Sequence, residues 1–251
     1  MPTELVDVTL RPAVHDDAEQ LAELFWVARE AAHPAMPRSV HSRAEVGSWF
    51  REVLGLVPRT TPMPDGRETW VATQGEAVVG YAVVDPIWLD SLYVRPDLTG
   101  HGIGSALLDL VKSLRPDGFG LWVFETNTQA QDFYRRHGLA VVRRTDGSDN
   151  EEHAPDLEMA WFGTDPISGL RRRIDDVDDR LATVLAERAA LTAAVQRLKE
   201  VPGHAGRDPD REAEIAARMA RLAARQGDRL GEARLARILH VVITESLDAA
   251  D

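Results

Sequence analysis

Two periodicities divide the chain. Up to about residue 162, short runs rich in β-branched and aromatic residues alternate with longer stretches that repeat an apolar position every three or four residues. The first kind predicts strands over 6–13, 68–74, 76–84, 87–96, 120–126, 139–144 and 156–162. The second predicts helices over 15–31, with Asp16 or Asp17 near its cap, and over 44–56, 99–114 and 127–138. The three β runs between 68 and 96 are broken only by turn residues, so a meander is expected. From residue 168 onward the helical period holds throughout. Leu170, Ile174, Val177, Leu181, Leu185, Leu191, Val195 and Leu198 form one stripe and predict a helix over 168–200. Two more follow, from Pro209 to Arg225 and from Leu230 to Leu247. Thirty-odd helical residues span roughly 50 Å, long for a globular domain.

Composition sharpens that division. All six Trp, six Phe and three Tyr lie at or before Phe162. Residues 1–164 carry 14 Lys/Arg against 25 Asp/Glu, whereas residues 165–251 carry 15 against 16. Two domains are therefore expected, 1–164 and 165–251, joined at "FGTDPISG" (162–169). With no cysteine there is no disulfide, thiolate metal site or cysteine nucleophile, and the eight histidines show no ligand-like pairing, so no metal is expected. The net charge of −12 argues against nucleic acid, whose phosphates call for basic patches. The N-terminal residues lack the pattern of a signal peptide, and no apolar run reaches membrane-span length. A soluble cytoplasmic protein, without nucleic-acid or membrane partners, is the expectation.

Chemistry concentrates at "TGHGIGSALL" (99–108). Three alternating glycines lead into an apolar-periodic helix, so several backbone N–H groups converge on one point, a ready anion site. The pattern is not the dinucleotide fingerprint, and no P-loop lysine follows. Together, "LYVRPDLTGHGIGSALL" and, about 25 residues on, "NTQAQDFYRRHGL" resemble the two signature motifs of the GNAT acetyltransferase superfamily, over roughly residues 6–162. That resemblance implies an α+β mixed sheet flanked by helices and an acetyl-CoA site built by Val94, Gly100, Gly102, Ile103, Gly104, Ser105 and Asn127. It also implies Tyr134 as general acid toward the cofactor's sulfur. Asp90, on the strand leading to the turn, stands where the family often places an acid, and an unidentified amine would be the acceptor. Thr99 departs from the family's usual Gln or Arg.

In the second half the pattern is "LRRRIDDVDDRLATVLAERAAL", then Lys199, "RDPDRE" and Ser246. Asp208 suits an N-cap and Pro209 the first helical position, but a cation at Arg211 in the first turn has no such local reason. The pattern resembles the all-helical class of chorismate mutases across 169–248, with Arg171, Arg188, Lys199, Asp208, Arg211, Glu212 and Ser246 in register. The resemblance implies a three-helix domain forming an intertwined homodimer with two active sites and no cofactor. Arg171, Arg188 and Ser246 would hold the carboxylates of chorismate. Lys199 would meet the ether oxygen, Asp208 and Glu212 would position the ring hydroxyl, and Arg211 would complete the pocket. Helical geometry adds an independent constraint. Arg188 and Lys199, eleven residues apart, face the same way within ~20°, whereas Arg171 and Arg188 are separated by roughly 25 Å. If both arginines serve one site, Arg171 comes from the partner chain. The family's second ether-oxygen donor, commonly Gln or Glu four residues after the serine, is Ala250 here.

The expected protein is thus bifunctional, transferring acetyl groups and rearranging chorismate to prephenate. Three other readings stay open: a mutase with an acyl-CoA-sensing domain, an acetyltransferase dimerised by a degenerate mutase domain, and a mutase or lyase acting on an amino-substituted chorismate or isochorismate.

Overall fold

A computed structural model describes residues 7–57, 65–198, 209–225 and 230–249. Contacts divide the chain into two compact units, Met1–Gly169 and Leu170–Asp251.

In the first unit the β-rich runs pair as antiparallel neighbours. β1 (Thr9–Pro12), β2 (Glu68–Gln74), β3 (Ala77–Val84) and β4 (Leu89–Val94) form one sheet in sequence order, with the expected meander at β2–β4. β5 (Phe119–Phe124), β6 (Ala140–Thr145) and β7 (Asp156–Trp161) form a second, ordered β5-β7-β6. One parallel bridge, Trp88 to Gly120, links the two sheets, and the Gly120 amide donates to the Ile87 carbonyl at 2.9 Å. No ladder continues beyond that bridge among the described residues, so β4 and β5 part toward their C-terminal ends. The close approach requires a glycine: a Cβ on Gly120 would fall 1.6 Å from the Trp88 ring.

Helices cover both faces. α1 (Ala18–Ala32) and α2 (Arg43–Val53) bury Leu21, Leu24, Val46 and Phe50 against Val71, Tyr81 and Val83. Asp17 precedes α1, but its carboxylate binds Arg11 at 2.7 and 2.8 Å and accepts the Val14 amide, rather than capping the helix by its side chain. α2 starts at a reciprocal capping box, in which Ser42 accepts the Glu45 amide and Glu45 the Ser42 amide. On the opposite face α3 (Ile103–Leu114) buries Ile103, Leu107, Leu108 and Val111, a spacing that keeps one side of the helix inward. α4 (Thr128–Arg136) begins at Asn127, whose side chain accepts the Ala130 amide, and ends at Gly138 with φ +82°. That left-handed position lets the Leu139 amide return to the Tyr134 carbonyl, closing the last turn.

The second unit is helical. α5 (Pro166–Leu198) is 33 residues long, and its first turn, with buried Gly169 against the Phe162 carbonyl, still belongs to the first unit. α6 (Pro209–Arg225) and α7 (Glu232–Asp248) follow. α7 buries Leu235, Leu239, Ile243 and Ser246, one face at spacings of three and four. On α5 the aliphatic stripe is exposed instead: Ile174, Val177, Leu181, Val184 and Leu191 each keep about half or more of their surface accessible.

Candidate active sites

The gap between β4 and β5 leads to the first site. The chain leaves β4 at Val94, makes a turn of 3₁₀ helix at Pro96–Leu98, and enters α3 through Gly100 and Gly102, at φ +87° and +88°. Only glycine takes such angles without strain. Gly102 is the helix N-cap, and it has no side chain with which to satisfy the helix start. The first intrahelical bond runs from the Ala106 amide to the Gly102 carbonyl. The amides of Ile103, Gly104 and Ser105 therefore precede the ladder and are available to an outside acceptor. A Cβ on Gly100 would meet nothing within 4 Å, whereas one on Gly104 would approach the Phe133 ring at 3.5 Å and Val94 at 3.7 Å. The turn is thus open on one side and seated on α4 and β4 on the other. Orphaned amides at the positive end of a helix fit a phosphate group, so the residues present suit a pyrophosphate-bearing cofactor.

Asp90 is set by a bulge. In the β3–β4 ladder Val83 pairs with Ser91 but Val84 with Leu89, which leaves Asp90 as the extra residue. Its carboxylate accepts from the Ser91 hydroxyl at 2.8 Å and lies 3.4 Å from Arg67, which is itself held by Asp85. Its side chain retains 35% of its surface. Burial of the remainder raises its pKa, only partly opposed by the Ser91 hydrogen bond and the Arg67 charge. A carboxylate so tuned is a better proton acceptor than a free one. Tyr134 is buried within the core that α3 and α4 share with the sheet, and burial raises its pKa. Its hydroxyl therefore stays protonated through the neutral range and is equipped to donate rather than to abstract. Asn127 uses its side-chain oxygen on the α4 amide, so any ligand contact is left to its NH2 group.

Two loops meet beside β4 on the α1 face. Arg29 of α1 pairs with Glu152 from the β6–β7 loop at 2.8 Å, and His41 approaches Glu151 at 2.7 Å. Thr126 donates to the Ala35 carbonyl at 2.7 Å. Burial raises the pKa of Tyr93, opposed by the charge of Arg29, and its ring packs on Phe25 and Tyr81. A separate recess of about 680 Å³ lies farther off, between the end of β1, the end of α2 and the start of β2. Arg67 borders it.

In the second unit, Arg188 and Ser246 converge. The Arg188 guanidinium donates to the Val242 carbonyl at 3.2 Å, and the Ser246 hydroxyl donates to the same oxygen at 2.6 Å. This joins α5 to α7 at a polar point, with Ser246 buried and Arg188 half-buried. Glu212 is half-buried and Arg211 exposed in the first turn of α6. Arg171 lies exposed near the start of α5, 17 residues before Arg188, too far along one helix to share a ligand with it. Lys199, Asp208 and Ala250 lie outside the described residues.

Comparison with known proteins bears on the two domains that carry these residues. Residues 65–138 match the family model of the GNAT acetyltransferase domain, and residues 170–250 that of type II chorismate mutase. The chain joins a GNAT acetyltransferase domain to a chorismate mutase domain. The first domain is similar to the peptidyl-lysine N-acetyltransferase YjaB of Escherichia coli, 27% identical over 157 residues, which cover 62% of this chain and 98% of YjaB. The solution structure of apo YjaB aligns at 26% identity with a TM-score of 0.49, covering 63% of this chain and all of that one. The PaiA N-acetyltransferase of Thermoplasma acidophilum, solved in complex with coenzyme A, aligns at 20% identity with a TM-score of 0.46, over 62% and 98% of the two chains.

Within the acetyltransferase domain, sequence patterns point to the glycine turn, Asn127, Tyr134 and Asp90, but not to Arg67, Arg29 or Glu152. Arg29 and Glu152 are 123 residues apart and meet only through the fold. His137 was also silent, though it directly precedes Gly138 in the second motif. In the mutase domain nothing in the helical period announces that Arg188 and Ser246 share the Val242 carbonyl. No described helix is long and apolar enough to cross a membrane.

Proposed function

We propose that the chain is a bifunctional enzyme: an acetyl-CoA-dependent N-acetyltransferase whose partner domain rearranges chorismate to prephenate. The acetyltransferase half rests on the orphaned amides of Ile103, Gly104 and Ser105 at the parting of β4 and β5. These amides would hold the pyrophosphate of acetyl-CoA, which supplies a thioester acetyl group. Val94 would border it and Asn127 would reach it through its NH2 group. Asp90 would take the proton from the acceptor amine, and Tyr134 would hold a proton for the departing sulfur. YjaB is named for acting on peptidyl-lysine, which makes lysine peptides the first acceptor to try.

For the mutase half, the supporting observation is the meeting of Arg188 and Ser246 on one carbonyl. A substrate carboxylate is a better acceptor for a guanidinium than a peptide carbonyl, so Arg188 would exchange Val242 for the substrate. Arg171 would come from a second copy, with the exposed stripe of α5 as the dimer seam. Lys199 would stabilise charge at the breaking ether, and Asp208, Arg211 and Glu212 would orient the ring. Nothing covalent forms with the protein, and the rate gain comes from geometry and electrostatics. Ala250 favours a second reading, in which the substrate is an amino-substituted chorismate or isochorismate.

The test is the purified full-length protein, assayed for chorismate consumption and for acetyl-CoA consumption with a panel of lysine peptides and small amines. No turnover of chorismate or its analogues removes the mutase assignment. No acetyl transfer to any amine leaves an acyl-CoA-binding domain. Losing one well-aimed donor to developing charge costs about 10²–10³ in rate in well-studied sites. Ala250→Gln should therefore accelerate chorismate turnover, and an unchanged kcat would show that this donor is not missed.

A further inference from the structure

Ser105 carries a hydroxyl beside its cradle amide, and that hydroxyl is already engaged. Its Oγ lies 3.0 Å from Nε2 of His137, and Nδ1 of the same ring lies 2.8 Å from the Phe133 carbonyl. A carbonyl oxygen only accepts, so Nδ1 carries a hydrogen. A neutral imidazole has one N–H, so Nε2 is then a bare lone pair and the Ser105 hydroxyl must donate its single proton to it. The serine oxygen is left with lone pairs alone, beside three amides aimed at an anion. Lone pairs repel a phosphate oxygen.

We propose that Ser105 and His137 form a proton-coupled latch on the cradle, so that binding a pyrophosphate-bearing ligand such as acetyl-CoA draws one proton from solvent onto His137. In the imidazolium both ring nitrogens donate, Nδ1 to Phe133 as before and Nε2 now to Ser105. The serine accepts that bond and turns its own proton toward the phosphate. One proton enters from water and no covalent bond changes between heavy atoms. The latch rests on the reading of the glycine turn as the cofactor cradle.

The surroundings favour this coupling. From α3, Lys112 donates to the His137 backbone carbonyl at 2.7 Å and lies 4.0 Å from Asp109. On α4, Arg135 is held by Asp132 and Gln131, Arg136 is adjacent in sequence, and the Phe133 ring packs 4.4 Å from the imidazole. Among the described residues no carboxylate pairs with the His137 ring. The arriving anion supplies a counter-charge for an imidazolium. His137 acts through Ser105 and is a positioning residue, not a catalytic one.

Calorimetric titration of the full-length protein with acetyl-CoA, in buffers of different ionisation heat from pH 6 to pH 8, reads proton uptake directly. Dephospho-coenzyme A, which lacks the ligand's own titrating 3′-phosphate, serves as the second probe. Wild-type affinity should rise about three- to tenfold from pH 8 to pH 6, with a measurable proton uptake that dephospho-coenzyme A preserves. His137→Gln, whose amide donates to Ser105 at every pH, should bind with little pH dependence and without that uptake. Ser105→Ala should also lose the pH dependence while His137 remains. Equal proton uptake in wild type and His137→Gln overturns the latch. Full pH dependence in Ser105→Ala overturns it too, because the imidazolium charge would then act without the hydroxyl. Absence of binding by wild type at any pH would instead remove the cradle assignment itself.

Discussion

The two domains solve the problem of burying apolar surface in opposite ways. The acetyltransferase domain closes two cores of its own, one on each face of the sheet, with Leu21, Phe50, Tyr81, Leu107, Leu108 and Met159 fully inside. The mutase domain, within a single chain, buries only Leu235, Leu239, Ile243 and Ser246 among its described residues and leaves the α5 stripe in water. Covering a large aliphatic side chain stabilises by about 1.5–3 kcal/mol, so an exposed stripe of five or more represents a large unspent driving force. The first domain carries its stability within itself. The second leaves much of its apolar surface accessible within one chain.

The largest effect should come from attacking that stripe. Val177→Glu with Leu181→Glu would place charges on the proposed dimer seam, and burying an unpaired charge costs several kcal/mol. Sedimentation should show a monomer, chorismate turnover should fall below detection, and acetyl-CoA binding should persist. A dimer with normal turnover would mean that the stripe is only a solvated face.

Next come the two arginines. Arg171→Ala and Arg188→Ala should each be nearly inactive as mutases. Heterodimers of the two should regain about half of wild-type activity, because two-fold symmetry leaves one of their two sites intact. Activity that fails to return in well-mixed heterodimers places both arginines in one chain's site.

Asp90→Asn should lower acetyl transfer by about 10²–10⁴, the usual contribution of a general base. The sign of the pH effect follows from burial. The active form is ionised and its pKa is raised, so kcat/KM should fall as acidity increases, beginning above the ordinary carboxylate range. The asparagine variant should lack that acidic limb. Gly102→Asp should weaken acetyl-CoA binding by about 100-fold or more, since it sets a negative charge at the cradle and forces a strained left-handed angle costing about 1–2 kcal/mol. Its chorismate turnover should match wild type, which would separate a local lesion from misfolding.

The smallest effect concerns Asp17. Arg11 holds its carboxylate below the usual range, so the pair's stabilisation is present above the unfolded pKa and is lost as pH falls through the folded one. Asp17→Asn should destabilise the first domain by about 1–2 kcal/mol, at the lower end for charged hydrogen bonds because Arg11 is partly solvated. Thermal melts at pH 7 and pH 2.5 should show the difference between variant and wild type shrinking in acid.

How far the chain could be read without coordinates differed between its parts. β2 and α6 fall where their patterns place them, because alternation and helical period are local properties. The glycine turn was equally plain, since no other residue takes those angles. The bulge that isolates Asp90 was not, because it exists only as a mismatch between β3 and β4. The same holds for the Ser105–His137 bond, across 32 residues, and for Arg188 with Val242, across 54. Such contacts arise from how elements pack, and neighbouring residues carry little trace of them. Asp17 illustrates a subtler gap: an acid before a helix reads as a cap, yet an available guanidinium wins its carboxylate.

The bridge between Trp88 and Gly120 is, mechanically, the fulcrum of a pair of levers. Among the described residues that bridge is the one backbone pairing between the two sheets, and Val94 lies six residues farther on, roughly 20 Å at strand rise. A rotation of about 5° at the fulcrum would move the far ends by about 2 Å, and a misplacement of about 1 Å is enough to cost 10²-fold in rate. The indole lying over a bare Cα at Gly120 therefore sets the aperture of a site it never touches. A single added methyl at that position would pry the levers open from the wrong end.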